Sequence, residues 1–472
     1  MTAPAGKTLA LLVPDGVGVR NFLIGPFLRQ LPRHWEAHAF HSIPEAFLPI
    51  FQEGLNGSVH WQNLQDYRPD RLTLGLQYSL GYAQMYWART KSMQHILAQP
   101  IRGSWKNRAL NSTAKLLGRW SAGPSRMQLL EKAHCEAASH RPETRCYAKA
   151  FGQIHPDVVF STNQRPSQVL PAVLAAQSEG IPCATFIFSW DNLSSKGRII
   201  APFDYYLVWS NHMRSELLHY YPHIKAQQVH VVGTPQFEPY GDPALLWTRE
   251  EFFERIGADP TRKLICYSGG DAGTCPEDPK HVEVLMGLIR DGHIAGDPQV
   301  IVRPVPVDDG TRYLPARHKY PELIWAQPEW VHTEPGNWSK VIPTPADVQF
   351  LANLTQHVDL NINLGSTMTL DFGIHDKPVV NVAFDVADPP IFGMPVWDYY
   401  YFFEHYRPVV ALGAARPARS PEELAEHVNT YLANPSLDRE GRRRLLDMQV
   451  TGSLCGASGR IHEVLDAIAV RK

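Results

Sequence analysis

The chain has 472 residues, 44% hydrophobic and 19% charged, with 45 Lys and Arg against 47 Asp and Glu for a formal net charge of -2. A length about three times the ~150-residue domain average predicts two large domains or three small ones, and this composition excludes a disordered chain. The near-neutral balance gives no global preference for nucleic acid.

The first apolar run, Thr8 to Val13, is interrupted by Pro14-Asp15-Gly16. It is too short for a signal peptide and reads as a buried strand; no run of 18 apolar residues predicts a spanning helix, so the expectation is a cytoplasmic protein. The turn that follows carries Gly16-x-Gly18, with Asn21 where a dinucleotide fingerprint has its third glycine, and a helix is expected from near Phe22. At the carboxyl end of a strand in an open α/β sheet this loop faces a ligand position. Asp15 is then either a turn or capping residue or a carboxylate presented to that ligand, and Arg20 has the same two readings.

A helical basic insertion is expected over about 82–132, where nine Lys or Arg face one acid, Glu131, with Trp87, Trp105 and Trp120 among them. It reads as a solvated insertion whose tryptophans pack on the first domain, or as an interfacial helix pair on an anionic membrane surface. A nucleic-acid surface ranks third, because no nucleic-acid module accompanies it. Strands are then expected at 157–161, 181–188, 204–209 and 229–232, alternating with helices as in a parallel sheet covered on both faces. After the 181–188 strand, Trp190, Asp191, Asn192 and Lys196 offer a stacking face, an acceptor, an amide and a cation suited to a sugar. The alternative there is an Asx-turn loop.

The same alternation restarts at 263–268 and runs into Ser268-Gly269-Gly270, a flexible backbone cradle. The strand at 300–304 ends in Arg303, which reads as a diphosphate partner or a surface ion-pair residue. The strand at 358–362 precedes Gly365-Ser366-Thr367, a helix start whose N–H groups suit a phosphate. Closing helices are expected at 422–431, 442–448 and 459–470. The division expected is 1–238 for a first Rossmann-like domain, 239–262 for a linker, 263–415 for a nucleotide-binding domain and 416–472 for closing helices. No Walker A loop, Gly-x-Ser-x-Gly elbow or His-Glu-x-x-His spacing occurs, and the six cysteines show no Cys-x-x-Cys pair, so no metal site is expected.

Taken together, the two doubly wound domains, the stretch Asn361 to Asn381 with its Asp376-Lys377-Pro378 turn, the Ser189-Trp190-Asp191-Asn192 segment and the late Gly456 to Ile461 run resemble GT-B-fold glycosyltransferases of bacterial surface polysaccharide assembly. Teichoic-acid polymerases and UDP-N-acetylglucosamine 2-epimerases belong to the same kinship. Teichoic-acid polymerases usually carry His-Pro where this chain has Arg303-Pro304. The resemblance implies an inverting, metal-independent transfer without a cofactor, from a nucleotide sugar to a glycan, glycolipid or protein acceptor at the inner face of the cytoplasmic membrane. It implies Asp15 or Asp191 as base, Arg20, Asn21, Trp190, Asn192 and Lys196 on the acceptor, and Ser268, Gly269, Gly270, Arg303, Gly365, Ser366 and Thr367 on the donor. The alternatives are a nucleotide-sugar 2-epimerase and a non-catalytic partner of the same fold.

Overall fold

The structure, a computed structural model, describes residues 6–53, 55, 59–332, 341–390, 393–450 and 452–469. The chain forms two compact units, one running to Gln236 and resuming at Gln449, the other spanning Phe237–Met448.

The first unit is built on strands β1 (Lys7–Val13), β2 (Trp35–His41), β3 (Val59–Asn63), β4 (Val158–Ser161), β5 (Cys183–Phe186), β6 (Tyr205–Val208) and β7 (Val229–Val231). They pair in the order β3-β2-β1-β4-β5-β6-β7, every pair parallel. Leu9 to Val13 are all 0% exposed, as an apolar strand covered on both faces must be. Strand order reverses between β1 and β4, which makes their carboxyl ends the switch point where ligands of such sheets collect.

Between β3 and β4 the chain leaves the sheet for five helices, Arg71–Ala88, Lys91–Ala98, Trp105–Trp120, Pro124–Ser139 and Pro142–Ile154. The insertion is thus longer than 82–132, because basic charge marks only its exposed surface and not its helical extent. A Cβ on Gly118 would overlap the Cβ of Tyr82 and press on the Ser79 carbonyl at 2.8 Å, so glycine lets the 105–120 and 71–88 helices touch backbone to backbone. Arg198, after β5, anchors the insertion by clamping Glu131 through Nε and Nη2 at 2.9 Å each.

Residues 416–472 do not close one domain. The final helix, Ala457–Ile468, belongs to the first unit, where Lys7 Nζ donates to the Asp466 carboxylate and carbonyl at 2.8 Å.

The second unit contains β8 (Leu264–Ser268), β9 (Gln299–Arg303), β10 (Ile324–Trp325), the antiparallel ribbon β11 (Trp330–His332) and β12 (Val341–Pro343), β13 (Leu360–Asn363), β14 (Val379–Val382) and β15 (Arg416–Ala418). Its main sheet is parallel in the order β10-β9-β8-β13-β14-β15, with the switch point between β8 and β13. The expected linker 239–262 is instead part of this unit. Phe252 and Phe253 of the Arg249–Ile256 helix are 0% exposed, and the Trp247 N–H donates to Asn353 Oδ1 at 2.7 Å.

Candidate active site

At the switch point of the first unit, β1 runs out through Pro14 to Asp15. No regular helix begins near Phe22: a single turn starts at Gly16 with Asp15 as its cap, accepting the Gly18 N–H at 3.0 Å, and a π-helical turn covers Val19–Ile24. A Cβ on Gly18 would overlap Thr162 Oγ1, so this glycine lets the turn lie against the loop after β4.

That loop supplies the partners that sequence patterning did not single out. Asn163 Nδ2 donates to the other Asp15 oxygen at 2.5 Å, and Gln164 bridges to the loop after β5, donating to Asn192 Oδ1 at 2.9 Å and accepting the Phe188 N–H at 3.3 Å. Arg165 is exposed, and its charge acts on both Asp191 and Asp15. The two candidate carboxylates therefore belong to one cluster. Burial pushes the Asp15 pKa up, against the opposing pull of the Gly18 N–H, Asn163 and Arg165, which is the direction a general base needs.

Asp191 sits differently. Its carboxylate accepts from Ser189 Oγ at 2.5 Å, Ser195 Oγ at 2.8 Å and Asn192 Nδ2 at 3.0 Å, with Lys196 Nζ at 3.8 Å. It organises its own loop in the manner of an Asx-turn residue. Trp190 is 2% exposed, so its ring presents no stacking face to a sugar, and Asn192, 3% exposed, is committed to Gln164 and Asp191. Lys196 stays accessible, its side chain 40% exposed. Asn21 is buried and takes the Arg20 Nε–H at 3.0 Å; neither residue joins the Asp15 cluster through a hydrogen bond.

In the second unit, the expected donor residues are largely engaged by neighbouring side chains and backbone of the same unit. Ser268 Oγ accepts from Asn361, the Gly269 N–H donates to the Arg303 carbonyl at 2.9 Å, and the Gly270 N–H donates to Asp278 at 2.5 Å. The glycine pair serves close packing: Cβ atoms there would overlap Tyr313 Oη and crowd Cys275. Arg303 is 6% exposed and its Nη2 donates to both oxygens of buried Asp347 at 2.9 Å, which makes it a buried ion-pair residue, while its Nη1 has no hydrogen-bond partner among the described residues.

Gly365 has φ 59° and packs against Tyr400, which fits a glycine at a tight strand exit. The Ser366 N–H donates to Asn363 Oδ1 at 2.9 Å, and Asn361, Asn363 and Asn381 form a buried amide ladder below it. Thr367 caps a helix, Met368–Ile374, of only seven residues. A cavity of about 590 Å³ lies further along the sheet at the carboxyl ends of β14 and β15, with Arg419 over the Trp397 ring at 4.8 Å.

Among the described residues, one set of metal-ligating side chains converges. Glu36, His38 and His60 meet on β2 and β3, with His60 Nε2 2.7 Å from Glu36. Two separate strands supply them, so no local spacing reveals the set.

No protein-family model matches the chain, and no curated protein matches it by sequence. Solved structures do. A UDP co-structure of MnaA from S. aureus has a TM-score of 0.55 at 9% identity, covering 99% of this chain and 98% of the other. A UDP-GlcNAc 2-epimerase from Neisseria meningitidis bound to UDP-GlcNAc gives 0.51 at 10%, covering 98% and 100%. A glycosyltransferase from Rickettsia africae gives 0.51 at 11%, covering 99% and 100%. The fold is therefore GT-B-like, two parallel-sheet α/β units, and at these identities the likeness speaks for the fold alone.

Proposed function

We propose that the protein is an inverting, metal-independent glycosyltransferase that moves a sugar from a nucleotide-activated donor to a hydroxyl of a glycan, glycolipid or protein acceptor. The observation that carries this reading is Asp15: a carboxylate at the switch point of its sheet, held by Asn163, with its proton affinity raised by burial. In the transfer step Asp15 takes the acceptor O–H proton as that oxygen attacks the anomeric carbon, and the bond from that carbon to the diphosphate oxygen breaks with its electron pair leaving on the nucleotide. Asp191 and Arg165 shape the charge around the base. The nucleotide is assigned to the second unit, with Gly365, Ser366 and Thr367 nearest its phosphates and Arg303 held in its pair with Asp347. The neighbours that hold UDP or UDP-GlcNAc support a nucleotide sugar as the donor.

The insertion supports a place for this enzyme at the inner face of the cytoplasmic membrane. Trp105, Leu116 and Trp120 are 74%, 72% and 66% exposed, and at offsets of eleven and four residues they form one outward stripe of their helix. Lys106 and Arg126 lie over the two indole rings at 5.6 and 5.3 Å, so apolar anchors and cations share this surface as an anionic leaflet requires. No helix among the described residues is long and apolar enough to cross a membrane.

The test is a thermal-shift screen against UDP, GDP, CDP, CMP and their sugar conjugates, with and without EDTA, followed by product analysis. Stabilisation by one nucleotide that EDTA leaves unchanged, and sugar transfer lost in Asp15→Asn, are expected. A 2-epimer formed with no acceptor present would replace this reading with an isomerase. Co-sedimentation with phosphatidylglycerol vesicles should fall as salt rises; binding indifferent to salt refutes the electrostatic attachment.

A further inference from the structure

The insertion also has an inner side. Between its helices and residues 197–200 the first unit forms an open cavity of about 300 Å³, the lower end of the range for small-molecule sites. Tyr78 and Tyr82 line it from the 71–88 helix, and Arg165 lines it from the switch-point loop. The cavity thus opens beside the cluster that holds Asp15.

Three observations indicate an occupant. Gly81 stands in the interior of the 71–88 helix and lines the cavity, where a Cβ would meet no atom within 4 Å. Glycine is a poor residue for a helix interior, and Gly118 has a packing reason for it that Gly81 lacks. Next, two buried wall atoms have no hydrogen-bond partner: Nε2 of His134, a residue 1% exposed, and Oε1 of Gln77. A bound hydroxyl would give both of these atoms a partner. Finally, Arg165 makes no side-chain hydrogen bond or ion pair among the described residues, whereas the other cation in the wall, Arg198, is clamped to Glu131.

We propose that this cavity takes an anionic monosaccharide unit of the acceptor, with its ring against Tyr78 and Tyr82, hydroxyls on Gln77 and His134, and its phosphate or carboxylate on Arg165. This rests on the transferase reading. His134 suits the role because burial pushes its pKa down to about 4, leaving a neutral imidazole to exchange hydrogen bonds with hydroxyls. Apolar contact on tyrosine faces with a guanidinium at one end selects a sugar that carries charge over a neutral one.

The test is calorimetric titration of the full-length protein with glucose 1-phosphate, glucuronate and glucose, and separately with UDP. At least one of the anions should bind at least tenfold more tightly than glucose, and the preference between them identifies the acid group. Gly81→Leu, which fills the space, should abolish sugar binding while leaving UDP binding and the melting temperature at or above wild type. Arg165→Gln should lower the affinity for the anion to that for glucose. If Gly81→Leu does not fold, Ile96→Trp at the 41% exposed rim is the substitute, with the same expected loss. Binding of UDP with none of the three sugars, or sugar binding that survives Gly81→Leu, overturns the pocket and leaves the transferase reading standing. Sugar binding without any nucleotide response does the reverse.

Discussion

Arg303 decides between two roles that leave different thermodynamic traces. The structure places it in a buried pair: Nη2 donates to both Asp347 oxygens at 2.9 Å, and the same carboxylate accepts Trp330 Nε1 at 2.7 Å and the Glu329 N–H at 2.9 Å. Arg303→Leu leaves that carboxylate buried with only those two donors, and breaking a buried pair from one side costs about 3–5 kcal/mol. In a domain of 150–250 residues about 1 kcal/mol moves Tm by about 2–4 °C, so the second unit should melt roughly 6–20 °C lower. Arg303→Met combined with Asp347→Asn removes both charges but keeps an acceptor for Trp330, and most of the loss should be recovered. Differential scanning calorimetry with a parallel UDP titration separates the roles. An Arg303→Leu protein that melts as wild type yet binds UDP tenfold more weakly would refute the structural assignment and restore Arg303 as a donor ligand.

Asp15→Asn should abolish transfer and at the same time stabilise the first unit near pH 7. The folded carboxyl has a pKa raised above 3.8, so the folded state holds more protons than the unfolded one across that window. Stability therefore falls as pH rises through it, and the variant should lack this fall in a series of melting temperatures against pH. His134 and His462 behave oppositely, since burial lowers both from 6.5 to about 4. Their contribution is complete above pH 6.5 and is lost as pH falls towards 4, about 3 kcal/mol each, and His134→Gln should flatten its share of that loss. Gly118→Val should cost about 1–3 kcal/mol in urea unfolding, because the new side chain must displace the helix that carries Tyr82. An unchanged midpoint for Gly118→Val would mean that the two helices are not in backbone contact.

What the sequence reveals of this architecture follows from how far each interaction reaches along the chain. Apolar runs such as Leu9–Val13 and Leu264–Tyr267 declare buried parallel strands, because burial on both faces favours apolar residues at successive positions. By contrast β2, Trp-Glu-Ala-His-Ala-Phe-His, mixes charge and imidazole with apolar residues and carries no such run. Its exposed Glu36 and half-buried His38 lie nearer the sheet's edge, beside the His60 of β3. Asp15 is legible as a strand-end carboxylate, and the logic that singles out 188–197 applies equally to Thr162-Asn163-Gln164-Arg165, a polar run directly after a buried strand. What no local pattern reveals is pairing at a distance. Asp347 lies 44 residues beyond Arg303, and the burial of Trp190 depends on what the fold packs around it.

Gly81 and Gly118 make the same point from two glycines of the insertion's packed helices. In sequence each weakens a helix to a similar degree. Only the fold distinguishes the glycine that admits a neighbouring helix from the one that keeps a space open beside Arg165. Gly152 and Gly459 also meet nothing within 4 Å in their helices, and what sets Gly81 apart is that it lines a cavity shared with Arg165. The chemistry of the first unit is accordingly to be sought where Asp15, Arg165 and that opening adjoin.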